Sequence, residues 1–114
     1  MRVFKFGGAS VKDADAVKNV ARILKVHAED KVCVIISAMG KTTNALEGIT
    51  SSYLLGKDDV SAQLESLKKF HVQILEGLFE DKTNAVYDEV NNLFVEIEWA
   101  VEDKPTGTND FEYD

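Results

Sequence analysis

The chain has almost none of the residues that cross-link or interrupt a fold, since its 114 residues include one cysteine and one proline. A single cysteine excludes any disulfide within the chain, which is typical of a reducing compartment, and we expect a cytoplasmic protein. Long apolar runs are absent too: the longest, Val32–Ile36, is far too short for a membrane span. Positive charge is scarce, because 13 Lys and Arg stand against 20 Asp and Glu, for a net charge of −7. This balance argues against nucleic acid or an anionic membrane as the partner.

What the sequence does have is a hydrophobic share of 45%, enough for the core of one domain. The apolar pattern predicts a strand at Arg2–Phe6, a helix containing Val17 and Leu24, and a second strand at Val32–Ile36. The second strand is apolar without alternation, as in parallel sheets covered on both faces, so Cys33 should be buried and inert. Amphipathic helices follow with no strand between them. We therefore predict an α/β fold in which a parallel βαβ unit precedes long helices.

The predicted helix boundaries divide the chain into segments. Capping-box spacing starts the first helix at Ser10 with Asp13 and the second at Asn44 with Glu47, and Gly56 ends the second. The predicted segments are a βαβ-loop-helix unit over residues 1–56, a helical segment over 57–101, and a linker with the start of a further element over 102–114.

The first candidate site follows the first strand, where Lys5 and Phe6 lead into Gly7 and Gly8. Paired glycines let backbone amides approach phosphate oxygens, and the start of the following helix would add positive charge. An ammonium group at Lys5 would stabilise charge on a transferring phosphoryl group. The glycine spacing fits neither the Walker A motif nor the dinucleotide fingerprint. A plain strand-to-helix turn with a solvated lysine explains this pattern equally well.

The second candidate site follows the second strand and runs from Ser37 to Asn44. In a parallel sheet both loops leave the carboxyl ends of their strands, where ligands of open α/β folds bind. Hydroxyl groups from the two loops would converge there on one small polar ligand: those of Ser10, Ser37, Thr42 and Thr43. Alternatively, Thr43 and Asn44 cap the next helix and need no ligand. We predict no metal site, because His27 and His71 have no third ligand at metal-binding spacing.

Residues 5–11, Lys-Phe-Gly-Gly-Ala-Ser-Val, resemble the opening motif of the aspartate kinases, usually Lys-Phe-Gly-Gly-Thr-Ser-Val. Ser37-Ala38, followed by Thr43-Asn44 and Leu46, resembles the second motif of that family at the expected distance. The resemblance implies the three-layer αβα fold of the amino-acid kinase superfamily. It also implies transfer of the ATP γ-phosphate, with Mg²⁺, to the side-chain carboxylate of L-aspartate. The product, 4-phospho-L-aspartate, opens lysine, threonine and methionine biosynthesis.

The same resemblance implies roles for single residues. Lys5 would be the catalytic residue that stabilises the transferring phosphoryl group. The ATP phosphates would be bound by Lys5 and by the loop after it, at Gly7, Gly8 and Ala9. Aspartate or the phosphoryl group would be held by three hydroxyls, those of Ser10, Ser37 and Thr43. Ala9 replaces the family's usual threonine, so one hydroxyl is lost while the backbone amides remain. The implied partners are ATP, L-aspartate and further copies of the chain in a homo-oligomer.

Aspartate kinases continue well beyond the length of this chain, through a Gly-Glu motif that helps bind aspartate, the nucleotide-binding half and regulatory ACT domains. We therefore expect the chain to be the N-terminal portion of an amino-acid kinase domain and to be inactive alone. Two alternatives stay open. One is a related kinase that acts on glutamate, carbamate or UMP. The other is a non-catalytic binding or assembly module built on the apolar helices between Val60 and Val101.

Overall fold

The computed structural model describes residues 1–102, so the predicted linker and further element at 103–114 lie outside the described residues. In chain order the elements are β1 (Arg2–Phe6), a 3₁₀ turn (Gly8–Val11), α1 (Ala14–Val26), β2 (Val32–Ile36), α2 (Thr42–Leu54), α3 (Val60–Leu78) and α4 (Ala85–Glu102). The predicted order, with a helix between two strands and only helices after the second strand, is confirmed for this part of the chain. Glu102, which we assigned to the linker, is instead the last residue of α4.

The two strands pair in parallel, with Arg2 opposite Val32 and Phe6 opposite Ile36. The hydrogen-bond ladder continues one step past the strands, where the Ser37 amide donates to the Phe6 carbonyl oxygen at 2.9 Å. Both strands therefore end at the same edge of the sheet, and the loops that follow them leave from neighbouring points. This is the arrangement that the βαβ pattern predicted.

Only one side of this small sheet has a helix packed against it within residues 1–102. Phe6 is buried with Val11 and Val20 in a cluster formed by β1, the 3₁₀ turn and α1. The prediction that β2 is covered on both faces is wrong, because Ile35 and Ile36 are 49% and 55% exposed. Cys33 is exposed as well, contrary to the prediction that it is buried. The reason is that α1 covers β1, whereas α2 and α4 pack mainly on α3, which in turn packs on α1.

A second core lies between the last three helices, and α3 is at its centre. Leu64 and Leu67 of α3 are buried against Ile49 of α2 and Phe94 of α4. The helix α3 also packs on α1, where a Cβ built on Gly77 would lie 2.5 Å from the Cβ of Ala14. Because α3 touches both α1 and the helical core, it joins the βαβ unit to the remaining helices.

The observed helix ends differ in part from the predicted ones. Ser10 lies in the 3₁₀ turn, and α1 is capped instead by Asp13, whose Oδ1 accepts a hydrogen bond from the Ala16 amide at 2.8 Å. A carboxylate at this position satisfies one of the unpaired amides of the first helical turn. Gly56 follows the end of α2 as predicted, with a positive φ of 68° that suits glycine.

Candidate functional site

Two loops meet at the carboxyl edge of the sheet, and we name them by their composition. The glycine loop comprises residues 7–11 and the hydroxyl loop comprises residues 37–43. The amide of Gly40 in the hydroxyl loop donates a hydrogen bond to the carbonyl oxygen of Gly8 in the glycine loop at 3.0 Å. The loops are therefore joined backbone to backbone, in addition to the strand pairing behind them.

The contact between the loops is too close for any side chain at Gly8. A Cβ built there would lie 2.5 Å from the Gly40 carbonyl oxygen and 3.2 Å from that of Ala38. Gly40 itself has a φ of +57°, in the left-handed region that glycine adopts at little cost. Both glycines are thus required by the local geometry of the loop contact, whether or not a ligand binds.

The glycine loop is a single 3₁₀ turn, and α1 starts only at Ala14. The Ser10 amide donates to the Gly7 carbonyl oxygen at 3.0 Å, and buried Val11 anchors the end of the turn in the β1–α1 cluster. We expected the start of the following helix to add positive charge beside the glycines. In the structure α1 begins at Ala14, beyond the turn, and its first turn is capped by Asp13. The exposed backbone of Gly7 remains open to a ligand, because a Cβ placed there would have no other described residue within 4 Å beyond its chain neighbours.

Lys5 lies on β1, two residues before the glycine loop, and its side chain is exposed. Because side chains alternate along a strand, Lys5 stands on the opposite face from Phe4 and Phe6, which pack toward α1. Within residues 1–102 Lys5 has no salt-bridge partner, and the ion pairs there join Arg2 and His27 to Asp30. Those pairs lie at the other end of β1.

The hydroxyl groups of the two loops fall into two kinds. Three belong to exposed residues and were expected to bind substrate, namely those of Ser10, Ser37 and Thr43. Thr42 is different, because it is buried and its Oγ1 donates to the Met39 carbonyl oxygen at 2.5 Å. The prediction that Thr42 faces a ligand with the others is therefore wrong. Its hydroxyl closes the hydroxyl loop at the start of α2.

The alternative explanation for the polar hydroxyl loop was helix capping by Thr43 and Asn44, and the structure contradicts it. The helix α2 already begins at Thr42, so both residues lie inside its first turn. The predicted capping box of Asn44 and Glu47 is wrong for the same reason. Lys41 occupies the N-cap position without a side-chain capping bond. Capping thus leaves the exposed hydroxyl of Thr43 unexplained.

Sequence reasoning missed two residues that shape the site. Gly40 lies in the hydroxyl loop, and a glycine between a strand and a helix is a recognisable signal for positive φ. No sequence pattern identifies Phe70 of α3 as part of the site, because its ring reaches Gly40 only through the packing of α3. A Cβ built on Gly40 would lie 3.1 Å from the Phe70 Cζ.

Two further features of the described part of the chain bear on function. Among residues 1–102 no group of three or more His, Cys, Asp or Glu side chains is placed to hold a metal ion. None of the helices in that range combines the length and apolar character needed to cross a bilayer.

Comparison with known proteins identifies relatives for most of this structure. The chain is 34% identical to Aspartokinase 1, chloroplastic, of Arabidopsis thaliana over 80 residues, which is 67% of this chain and 14% of that protein. It is 32% identical to Aspartokinase 2, chloroplastic, of the same plant over 84 residues, covering 71% of this chain and 15% of the relative. With Aspartokinase 3, chloroplastic, also from Arabidopsis thaliana, it shares 46% identity over 44 residues, 39% of this chain and 8% of the relative. The chain therefore spans only a small part of the length of these relatives.

A profile of the amino acid kinase family matches residues 1–95, a stretch that contains both strands, both loops and most of the helical segment. The resemblance to aspartate kinases read from the two loop motifs is confirmed by the relatives. The α/β class is confirmed as well, since a parallel βαβ unit followed by helices fits the fold of this family. On these grounds the chain belongs to the amino acid kinase family.

Proposed function

We propose that the protein carrying this chain is an aspartate kinase, which transfers the γ-phosphate of ATP to the side-chain carboxylate of L-aspartate. A carboxylate oxygen forms a bond to the γ-phosphorus while the bond from that phosphorus to the ADP oxygen breaks. The products are 4-phospho-L-aspartate and ADP. The observation that carries the proposal is the hydrogen bond from Gly40 to Gly8, which joins two open loops beside the exposed Lys5.

In this reaction the negative charge of the transferring group is spread over its oxygens, and little covalent chemistry falls to the protein. The ammonium group of Lys5 would lie beside that charge and stabilise the transition state more than the ground state. Backbone amides of Gly7, Gly8 and Ala9 would bind the phosphates. Glycine at position 7 keeps a side chain out of the way of phosphate oxygens, whereas glycine at position 8 allows the close contact with the hydroxyl loop.

The exposed hydroxyls of Ser10, Ser37 and Thr43 would bind aspartate or the phosphoryl group by hydrogen bonds. The similarity to proteins named aspartokinases supports aspartate as the acceptor. Mg²⁺ would arrive with ATP, because this ion keeps much of its water and commonly binds through substrate phosphates. It would neutralise phosphate charge beside Lys5.

The experiment that tests the proposed function is an assay of the full-length protein against a panel of acceptors. ATP and Mg²⁺ are supplied with aspartate, glutamate, carbamate or UMP, and ADP release is measured for each. Trapping with hydroxylamine detects an acyl phosphate directly, because the hydroxamate forms only from an activated carboxyl group. We expect ADP release and hydroxamate with aspartate. Activity with another acceptor supports a different kinase of this family, and no transfer at all supports a binding module.

Lys5→Ala in the same protein should lower kcat for aspartate by about 10²- to 10³-fold, the range seen when a charge-stabilising group is removed. Lys25→Ala is the matched control, since Lys25 is also exposed but lies in the last turn of α1. It should leave kcat unchanged. Equal rates for Lys5→Ala and the original protein would contradict the catalytic role.

Four further properties belong to the same proposal. We propose that the 114-residue chain alone is inactive, since it spans 14% and 15% of the length of two aspartokinase relatives. The assay above, repeated on this chain, tests that point. A homo-oligomer in the cytoplasm and a place in lysine and threonine biosynthesis remain predictions. The related proteins are named as chloroplastic, so fractionation of the source cells is needed to test the compartment.

A further inference from the structure

We propose that Phe70 and Gly40 are positioning residues, through which α3 sets the separation of the glycine loop from the hydroxyl loop. For catalysis this inference rests on the proposed function, because the two loops are taken to hold the two substrates. The loop separation itself is a property of the structure and can be measured without any assay of activity.

The first step of the argument is the contact between the loops. The Gly40 amide donates to the Gly8 carbonyl oxygen at 3.0 Å, and a Cβ on Gly8 would lie 2.5 Å from the Gly40 carbonyl oxygen. At this distance the backbones touch with no side chain between them. Any displacement of Gly40 therefore moves the glycine loop or breaks the hydrogen bond.

The second step is what holds Gly40. On the side facing α3, a Cβ at Gly40 would lie 3.1 Å from the Cζ and 3.7 Å from the Cε2 of the Phe70 ring. The Cα of Lys12, which follows the glycine loop, would be 3.8 Å away. The Phe70 ring edge therefore lies directly behind the residue that bonds the two loops together.

The third step is what holds Phe70. Its ring lies 5.3 Å from the ring of His71 in an edge-on arrangement, and His71 lies 5.5 Å from Phe94 in the core of α2, α3 and α4. The His71 Nδ1 is 2.9 Å from the Leu67 carbonyl oxygen one turn earlier, which fixes the imidazole on α3. Aromatic contacts thus lead from the helical core to the loop junction. Close-packed interiors transmit displacement along such contacts.

A fixed separation matters because the acceptor and the γ-phosphate must meet in line. If Lys5 and the glycine loop, with Ser10 on the phosphoryl group, hold ATP while Ser37 and Thr43 hold aspartate, a change in loop separation leaves each binding site intact. Such a change does alter the placement of the two substrates relative to each other, and a misplacement of about 1 Å can lower the rate by about 10²-fold. Loss of positioning should therefore lower kcat and leave both KM values nearly unchanged.

The first arm of the test measures the loop junction in the 114-residue chain by amide hydrogen exchange with NMR. Phe70→Ala should speed exchange of the Gly40 amide by about tenfold or more through local opening, while amides around Phe94 keep their protection. Lys69 is an exposed neighbour of Phe70 on α3, so Lys69→Ala should change neither the exchange of the Gly40 amide nor that of the amides around Phe94. Unchanged exchange at Gly40 in Phe70→Ala would overturn the proposal.

The second arm measures kcat and both KM values in the full-length protein. Phe70→Ala should lower kcat by about 10- to 100-fold with KM for ATP and aspartate within about threefold, and Phe70→Leu should recover most of the loss. Leu64→Ala is the matched control, because it removes a buried side chain from α3 away from the loops. Assayed below its unfolding transition, it should keep the original kcat. Equal loss of kcat in Leu64→Ala and Phe70→Ala would mean a merely structural role.

The two arms separate failure of this inference from failure of the proposed function. If the original protein phosphorylates no acceptor, the proposed function fails, and hydrogen exchange at Gly40 still decides whether α3 positions the loops. If the protein is active and Phe70→Ala raises a KM with kcat unchanged, the function stands and the positioning role is wrong.

Discussion

At the scale of single residues, several polar side chains bond to neighbours two or three positions away. Asp13 accepts from the Ala16 amide, and the Thr42 hydroxyl donates to the Met39 carbonyl oxygen. The hydroxyl and amide of Thr83 both donate to the Asp81 Oδ1, at 2.6 and 2.9 Å, in the loop between α3 and α4. Such local bonds set the direction of each turn before any long-range contact forms.

The Asp81 bonds predict a change in its titration. The hydroxyl of Thr83, and then its amide, stabilise the carboxylate and lower the pKa of Asp81 below its ordinary value. A lowered folded-state pKa means that this contribution to stability is present above the pKa of the unfolded chain and is lost as pH falls through the folded one. In Thr83→Ala, NMR titration of the Asp81 carboxyl should show a pKa closer to the ordinary value. Thr83→Ser keeps the hydroxyl and should keep the lowered pKa; a pKa in Thr83→Ala equal to that of the original chain would disprove this assignment.

At the scale of elements, the observed helix starts are decided by a single capping residue or by the loop before the helix. The helix α1 begins after Asp13 rather than at the predicted Ser10, because the intervening residues form a 3₁₀ turn. The helix α2 begins without a side-chain cap, after the positive-φ turn at Gly40. Each start places a loop at the carboxyl edge of the sheet, so the helix boundaries shape the candidate site.

The cap of α1 predicts different effects for two nearby substitutions. Asp13→Ala should lower the free energy of unfolding of the 114-residue chain by about 1 kcal/mol, because an amide of the first turn loses its acceptor. Ser10→Ala should change it by less than about 0.5 kcal/mol, since the exposed Ser10 does not cap α1. Urea denaturation followed by circular dichroism measures both. A larger effect for Ser10→Ala would favour the capping box expected from sequence.

At the scale of the whole molecule, the described chain has two separate cores and an uncovered strand. One core lies between β1 and α1, the other between α2, α3 and α4, and α3 connects them. The apolar strand β2 lies outside both, with Val34, Ile35 and Ile36 at 38%, 49% and 55% exposure. Exposed apolar strands of this kind promote association between chains.

The uncovered strand predicts an accessible thiol. Cys33 in the folded 114-residue chain should react with a thiol reagent at nearly the rate measured in urea, because its side chain faces solvent. Val20→Cys in a Cys33→Ser background is the buried control, since Val20 is 6% exposed between α1 and β1. That thiol should react much more slowly than Cys33. Strong protection of Cys33 in the folded chain would mean that β2 is covered after all.

Local sequence patterns were enough to predict the order and type of the elements, the parallel βαβ unit, and the resemblance carried by Lys5, Gly7 and Gly8. Apolar periodicity sets helices and strands, and glycines after a strand mark a loop. Two features emerged only from the packing of the helices: how far β2 is covered, and that Phe70 lies behind Gly40. They depend on where α3 packs, and no local pattern specifies contacts between residues so far apart in the chain. Burial and positioning are therefore properties of the assembled helices, whereas the chemistry of the loops is already present in their residues.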